Sequence, residues 1–299
     1  MTFYRIMQHL IGIIFLLSFV LTCGSLKSFA QDNTGRKKVF LFAGQSNMEG
    51  RADGAQLSEK DKQRLNRVSD RIHFYYNHRP VTPLQLTNPK KYIKKKFDLS
   101  ECFGPELFFG IELAENYPDE EFIFIKRSKG GTSLYGCWNP DWSGEKAALM
   151  NELEQPKLYS DFVNYVKSVL ENYDAHNYEV SGMLWVQGET DSAIKKWGEE
   201  PARTYGKNLR NLIQRTRLEL DHPQMPFVMF QVGGGEVVKG MRQTAKNDRN
   251  VYLIPQSKDR DSGDFYERNP PPIGHYTASS MKKIGEEFYK VFDTILTED

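Results

Sequence analysis

"LFAGQSNMEG", residues 41–50, ends an apolar run and turns at once into polar chemistry. Residues 37–43, KKVFLFA, read as a strand without alternation, the pattern of a strand buried on both faces of a helix-covered sheet. Four more runs share that character: EFIFI at 121–125, GMLWV at 182–186, PFVMFQV at 226–232 and VYLI at 251–254. Between them apolar residues recur at helical spacing. Leu107, Phe108, Ile111 and Ala114 form one such face, and Phe162, Tyr165, Val166, Val169 and Leu170 another. Tyr205, Leu209, Leu212, Ile213 and Leu220 form a third, and Met281, Ile284, Phe288, Val291, Phe292 and Ile295 a fourth. The alternation predicts an α/β fold: a three-layer α/β/α sandwich around a central, mostly parallel five-stranded sheet. In such sheets ligands and reactive groups collect at the carboxyl ends of the strands.

The rest of the 299 residues bounds this reading. Hydrophobic residues make up 39% and charged ones 26%, enough apolar mass for a packed core and too much for disorder. A net charge of +1 does not suggest a nucleic-acid partner. Residues 1–30 combine Arg5, an apolar run from Leu10 to Leu21 and small residues before Gln31, which reads as a secretory signal peptide. A retained anchor, or a lipoprotein built on Cys23, are the alternatives. The expectation is therefore an exported protein, periplasmic or extracellular, with residues 31–299 as a single domain and no stable membrane insertion after cleavage. Cys102 and Cys137 then remain, as a disulfide or as two buried thiols. Residues 51–100 read as a long excursion after the first strand. Its basic stretch at 90–96, KKYIKKK, is either a solvated, charged edge or a sugar- or polyanion-facing loop.

G-x-S-x-G, H-E-x-x-H, Walker A and paired C-x-x-C motifs are all missing from the sequence. Gly233-Gly234-Gly235 follows a strand but fails the dinucleotide spacing, because Val238 stands where the third glycine belongs. Three strand ends are more informative. At the first, Ser46 sits in a tight turn, where its hydroxyl is a candidate nucleophile; the plain alternative is helix capping by Ser46 or Asn47. At the second, Lys129-Gly130-Gly131 lets the backbone approach a ligand, so the Gly131 N–H is a candidate oxyanion donor. At the third, Gln187-Gly188-Glu189-Thr190-Asp191 brings an amide and two acids; Asp191 suits a helix N-cap, and Glu189 has no such role. Of the six histidines, His275 alone lies in a loop stiffened by Pro271, Pro272 and Gly274, just before the last helix.

Together "AGQSNMEG", "FGPELFFGIELAE", "KGGTSL" and "WVQGETDS" resemble, in order, the SGNH hydrolase superfamily. Within it they are similar to the branch of sialate O-acetylesterases and the acetylxylan esterases of carbohydrate esterase family 6. The resemblance runs from about Val39 to about Phe288. It implies a flavodoxin-like fold and a serine esterase that removes O-acetyl groups from carbohydrates through an acetyl-enzyme, with no metal or organic cofactor. Ser46 is then the nucleophile and His275 the general base. The Ser46 and Gly131 N–H groups hold the oxyanion, with Gln187 as a third donor and Asn47 beside the substrate. Many superfamily members carry an aspartate three residues before the histidine, where this chain has Pro272. On the family 6 pattern Glu189 orients the imidazole instead; a backbone carbonyl, Asp261 and Asp264 are the other options. The partner is an acetylated glycan: sialate, xylan and related glycans all stay open. A glycan-binding protein without catalysis and an acetyl transferase are the competing functions. Tyr135, Trp138 and Trp142 form either a sugar-stacking wall or part of the core. Oligomeric state is left open.

Overall fold

A computed structural model describes residues 35–271 and 273–298. The leader, Cys23 and Pro272 lie outside the described residues.

The five strands expected from the apolar runs all form, and they are joined by two more. In chain order the sheet strands are β1 (Lys37–Gly44), β2 (Ile72–Tyr76), β3 (Thr82–Pro83), β4 (Phe122–Ser128), β5 (Tyr178–Val186), β6 (Phe227–Phe230) and β7 (Val251–Ile254). Their order across the sheet is β3-β2-β4-β1-β5-β6-β7. Every pairing is parallel except β2 with β3. The sheet thus has seven strands, not five. The extra pair comes from the 51–100 excursion, where β2 alternates between buried and half-buried residues and caps one edge of the core.

The helices that concern the layers and the site are α1 (Ser46–Glu49), α2 (Glu59–Val68), α3 (Lys91–Phe97), α4 (Glu106–Asn116), α5 (Leu158–Leu170), α6 (Glu200–Glu219), α7 (Glu236–Asn247) and α8 (Ala278–Glu298). On one face Phe40 packs edge-on against Phe109 of α4 and Phe292 of α8. Gly182 leaves the space that Phe292 fills: a Cβ there would meet its ring at 2.3 Å. On the other face Trp185 meets Trp138 and hydrogen-bonds to Tyr205 of α6. Helices α6 and α7 touch through Gly206 and Gly240, whose backbones approach too closely for any side chain. Cys102 and Cys137 are free and buried. Among the described residues no helix is long and apolar enough to cross a membrane.

The pairing register decides where chemistry can gather. Gly44 is level with Ser128 on one side and with Val186 on the other. Three strands therefore end side by side, and the three polar turns that follow them emerge at one edge.

Candidate active site

The turn after β1 is locked from both sides. Gln45 N–H donates to the Val186 carbonyl at 3.0 Å, and Lys129 N–H donates to the Gly44 carbonyl at 3.2 Å. Gly44 has φ +151°, and a Cβ on it would lie 2.1 Å from the Val186 oxygen, so only glycine fits. The buried Gln45 side chain accepts from Thr190 N–H at 3.3 Å and from the Gln187 amide at 3.4 Å.

Ser46 opens the one-turn helix α1 and is half-buried. Its hydroxyl makes no hydrogen bond among the described residues, to His275 or to any other group, and its N–H has no acceptor there. It caps no helix. The Gly130 turn lies against it, since a Cβ on Gly130 would sit 3.3 Å from the Ser46 Cβ. Glu49 fixes that turn: its Oε2 accepts from Gly130 N–H at 2.8 Å and from Arg51 Nη2 at 2.6 Å. Gly131 follows at φ +75° with open space around it, and its N–H is likewise without an acceptor among the described residues.

Asn47 is buried and donates through Nδ2 to Glu189 Oε1 at 2.6 Å. Arg268 Nη2 approaches the same oxygen at 3.7 Å. The other oxygen, Glu189 Oε2, is buried without a partner. Gln187 is fully buried, and its amide N–H groups point at Asp191 Oδ2 (2.6 Å), the Thr132 carbonyl (3.2 Å) and Gln45 Oε1 (3.4 Å). Those donors serve the wall behind the site rather than the space in front of Ser46.

Asp191 is no helix cap. It is fully buried and accepts from the Leu134 and Tyr135 N–H groups, each at 2.9 Å, as well as from Gln187. Burial pushes its carboxyl up to about 7 despite those three donors. It ties the segment after Gly131 to the segment after β5.

His275 is held by its neighbours in sequence. Asn269 N–H donates to the His275 carbonyl at 2.8 Å, and Thr277 N–H donates to the Glu267 carbonyl at 3.1 Å. Arg268 grips both flanks, donating to the Gly274 carbonyl at 3.1 Å and to the Tyr276 hydroxyl at 2.7 Å. The ring lies edge-on to Phe97, 5.4 Å between centroids. Burial, and then the guanidiniums of Arg51 and Arg268, lower its pKa to about 4. The imidazole is therefore neutral at ordinary pH, with a free lone pair. Its Nδ1 is buried without a well-formed hydrogen bond, and the Ile273 backbone beside the ring works against the lowering. Glu189 is not hydrogen-bonded to it, and neither is Asp261 or Asp264. Arg268 nevertheless lies against both the His275 loop and Glu189, so the two candidate groups border one charge.

This geometry can be compared with known proteins. A family model described as carbohydrate esterase, sialic acid-specific acetylesterase, matches residues 36–294. The chain belongs to that family. It is a carbohydrate esterase, a hydrolase of ester bonds, and the resemblance drawn from its motifs holds. No curated protein sequence matches it significantly. Among solved structures this esterase is similar to NanS, with 14% identity and a TM-score of 0.60 over 89% of this chain and 99% of that one. It is similar to a protein of Arabidopsis thaliana at 17% identity and TM-score 0.60, covering 87% and 98%. It is also similar to a carbohydrate acetylesterase of Xanthomonas citri at 18% and 0.54, covering 84% and 54%. At these identities the likeness is one of fold.

Three charged residues of the esterase have roles that the motifs do not announce: Glu49, Arg51 and Arg268. Glu49, inside the serine motif, and Arg51, directly after it, flank Gly50, and both are buried, which charges tolerate only when paired. Their place beside a glycine in the most distinctive stretch of the chain is the signal that was there to find. Arg268 stands in a polar loop and carries no such signal. The three aromatic residues divide between the two readings. Trp138 is fully buried and donates its Nε1–H to Thr132 Oγ1 at 3.1 Å, so it belongs to the core. Tyr135 and Trp142 stay half-buried, the latter under Lys157.

Proposed function

We propose that the chain is an exported carbohydrate O-acetylesterase with Ser46 as nucleophile and His275 as general base. Ser46 Oγ attacks the acetyl carbonyl carbon while its proton passes to the neutral imidazole. The oxyanion takes hydrogen bonds from the Ser46 and Gly131 N–H groups. The tetrahedral adduct collapses, the bond to the sugar oxygen breaks, and the imidazolium returns the proton to that oxygen. Water then attacks the acetyl-enzyme with His275 again as base, and acetate leaves.

The observation that carries this reading is the pair of N–H groups at Ser46 and Gly131, both without acceptors, beside a serine hydroxyl that caps nothing. Ser46 is half-buried and Gly131 exposed, so both donors face the open side of the turn, where an anion can reach them. The missing Ser46–His275 bond fits a resting state, since catalytic hydrogen bonds of unliganded enzymes often tighten only around substrate. On this reading Glu189 Oε2 and His275 Nδ1, two buried atoms without a well-formed hydrogen bond, are the halves of the bond that orients the base. A shift of the 268–276 loop is needed to join them. The resemblance points to Gln187 as a further oxyanion donor, but its present hydrogen bonds favour a scaffold role, with two donors at the oxyanion.

The test is acetate release from acetylated sugars and from a chromogenic acetate. The purified chain should liberate free acetate rather than transfer it to a second sugar. Ser46→Ala should lower kcat by about four orders of magnitude or more, because the members of such a set act as a unit. Near-normal turnover in that variant would remove the mechanism.

A further inference from the structure

A cleft of about 1470 Å³ opens beside Glu189 and runs between one face of α7 and the loop that follows β7. The α7 side presents Lys239, Arg242 and Lys246, at positions i, i+3 and i+7 of one helical face. The opposite wall presents Lys258, Arg260 and Arg268. Against these six cations the lining holds two acids, Glu189 and Glu267. Lys239 is paired with Glu236 at 3.3 Å, and Arg268 lies 3.7 Å from Glu189. Arg242, Lys246, Lys258 and Arg260 have no carboxylate within ion-pair distance among the described residues. The positive excess belongs to the lining itself: Asp259, Asp261 and Asp264 stand in the same loop as Lys258 and Arg260 but do not line the cleft.

The cleft also has sugar-binding character. Gly233, Gly234 and Gly235 line it, and a Cβ on Gly234 or Gly235 would meet nothing within 4 Å. Half-buried Phe265 lines it with aromatic surface, and Gln243 adds an amide able to bind hydroxyls, whereas the Gln231 and Gln256 amides are bonded to each other's carbonyls. The span from Lys239 to Lys246 is about 10 Å by helical rise, room for a short chain of sugars rather than one.

We propose that this cleft binds an acidic glycan chain, one bearing carboxylates on successive sugars, and leads its acetylated sugar to the Glu189 end. This deepens the esterase reading and rests on it for the position of the ester. Unpaired cations along a concave wall focus an attractive field on a polyanion, whereas a neutral chain gains nothing from them. Phe265 supplies a face for a sugar ring, and Arg268 joins the cleft to the His275 loop.

Calorimetric titration of the purified full chain with a hexamer of galacturonate, without acetyl groups, tests the cleft apart from catalysis. Binding should weaken as salt rises from about 50 mM to about 500 mM, as screening requires. Xylohexaose, neutral and of the same length, should bind at least tenfold more weakly. Arg242→Gln/Lys246→Gln should weaken galacturonate binding about tenfold, taking each exposed pair as up to about 1 kcal/mol. Lys60→Gln/Lys290→Gln removes the same charge from other elements and should stay within about twofold of the wild type. Thermal melts establish that both double variants are folded. Equal binding of the neutral hexamer, or undiminished binding by the cleft variant, would overturn the inference. The acetate assay fails independently: galacturonate binding without acetate release sinks the esterase mechanism and keeps the cleft, and acetate release without galacturonate binding does the reverse.

Discussion

Asn47 Nδ2 donates to Glu189 Oε1 at 2.6 Å, joining the turn after β1 to the turn after β5. The bond occupies one carboxylate oxygen and leaves the other, Oε2, buried and unpartnered. A buried acceptor left empty costs about 1–3 kcal/mol, a cost that substrate or a moving imidazole can relieve. Asn47 thus aims an acid whose working oxygen is kept free.

Glu189→Gln follows from that arrangement. It keeps the shape of the side chain and removes the charge that would stabilise an imidazolium. In the proposed mechanism it lowers kcat by roughly two to four orders of magnitude with little change in KM. Asn47→Ala should cost less, about tenfold, because the acid survives without its guide. Steady-state kinetics on both variants checks the order. A loss below about fivefold for Glu189→Gln would leave a Ser46–His275 dyad oriented by something else.

The pH profile reports on the same imidazole. His275 sits at about 4 in the folded chain against 6.5 for the free side chain, because burial and two guanidiniums disfavour its charged form. The neutral base is therefore present down to acid pH, and kcat/KM of the wild type should fall only as pH drops through about 4. The linkage has a matching sign. The fold prefers neutral His275, so this group costs no stability above pH 6.5 and costs progressively more as pH falls from 6.5 toward 4. An acid limb at or above 6.5 would mean that a carboxylate already reaches Nδ1 in the free enzyme, which contradicts the carboxylate-free imidazole described above.

Much of this was readable in the chain, for physical reasons. Five strands are legible because parallel strands covered on both faces carry unbroken apolar runs. Ile72–Tyr76 is not, since His73 and Tyr75 on its half-buried face break the apolar run of Ile72, Phe74 and Tyr76 within a polar segment. Thr82–Pro83 is too short to have a pattern, and its proline is tolerated at the sheet edge. Ser46, Gly131 and Glu189 could be singled out because each stands directly beyond a strand, and the register sets those strand ends level. Arg268 could not, because a charged loop residue looks solvated until its partners are known. Asp191 was misjudged as a cap for the opposite reason: its acceptors are used by N–H groups more than fifty residues earlier, a distance no local pattern carries.

Two glycines separate sterics from backbone strain. Gly44→Ala would drive a Cβ to 2.1 Å from the Val186 oxygen, and neither backbone can retreat without breaking the register. Gly131→Ala meets nothing within 4 Å and is strained only by its φ of +75°. The second should cost about 1–2 kcal/mol, the usual penalty for an L-residue in the left-handed region. The first should exceed about 4 kcal/mol, in the exceptional range. Chemical denaturation of the two variants gives the comparison, and equal losses would contradict the packing at Gly44.

The last expectation concerns the ion pair beneath the site. Lys126 Nζ lies 2.6 Å from Glu106 Oε1, with both side chains essentially inaccessible. Burial lowers the lysine pKa, opposed first by the Glu106 charge and then by the hydrogen bond to it. The ammonium also lies 4.9 Å from the Tyr76 ring centre and donates to the Glu49 carbonyl at 3.4 Å, so it supports the helix that carries Ser46. Removing one partner strands a charge in the core. Lys126→Met alone should therefore destabilise by about 3–5 kcal/mol. Replacing both, as Lys126→Met/Glu106→Leu, should recover most of that loss, because two apolar side chains of similar volume carry no desolvation cost. Denaturant melts of the single and double variants decide it. A double variant no more stable than Lys126→Met would mean that Glu106 serves the fold through Gly104, whose N–H it also accepts at 3.3 Å, rather than through the lysine.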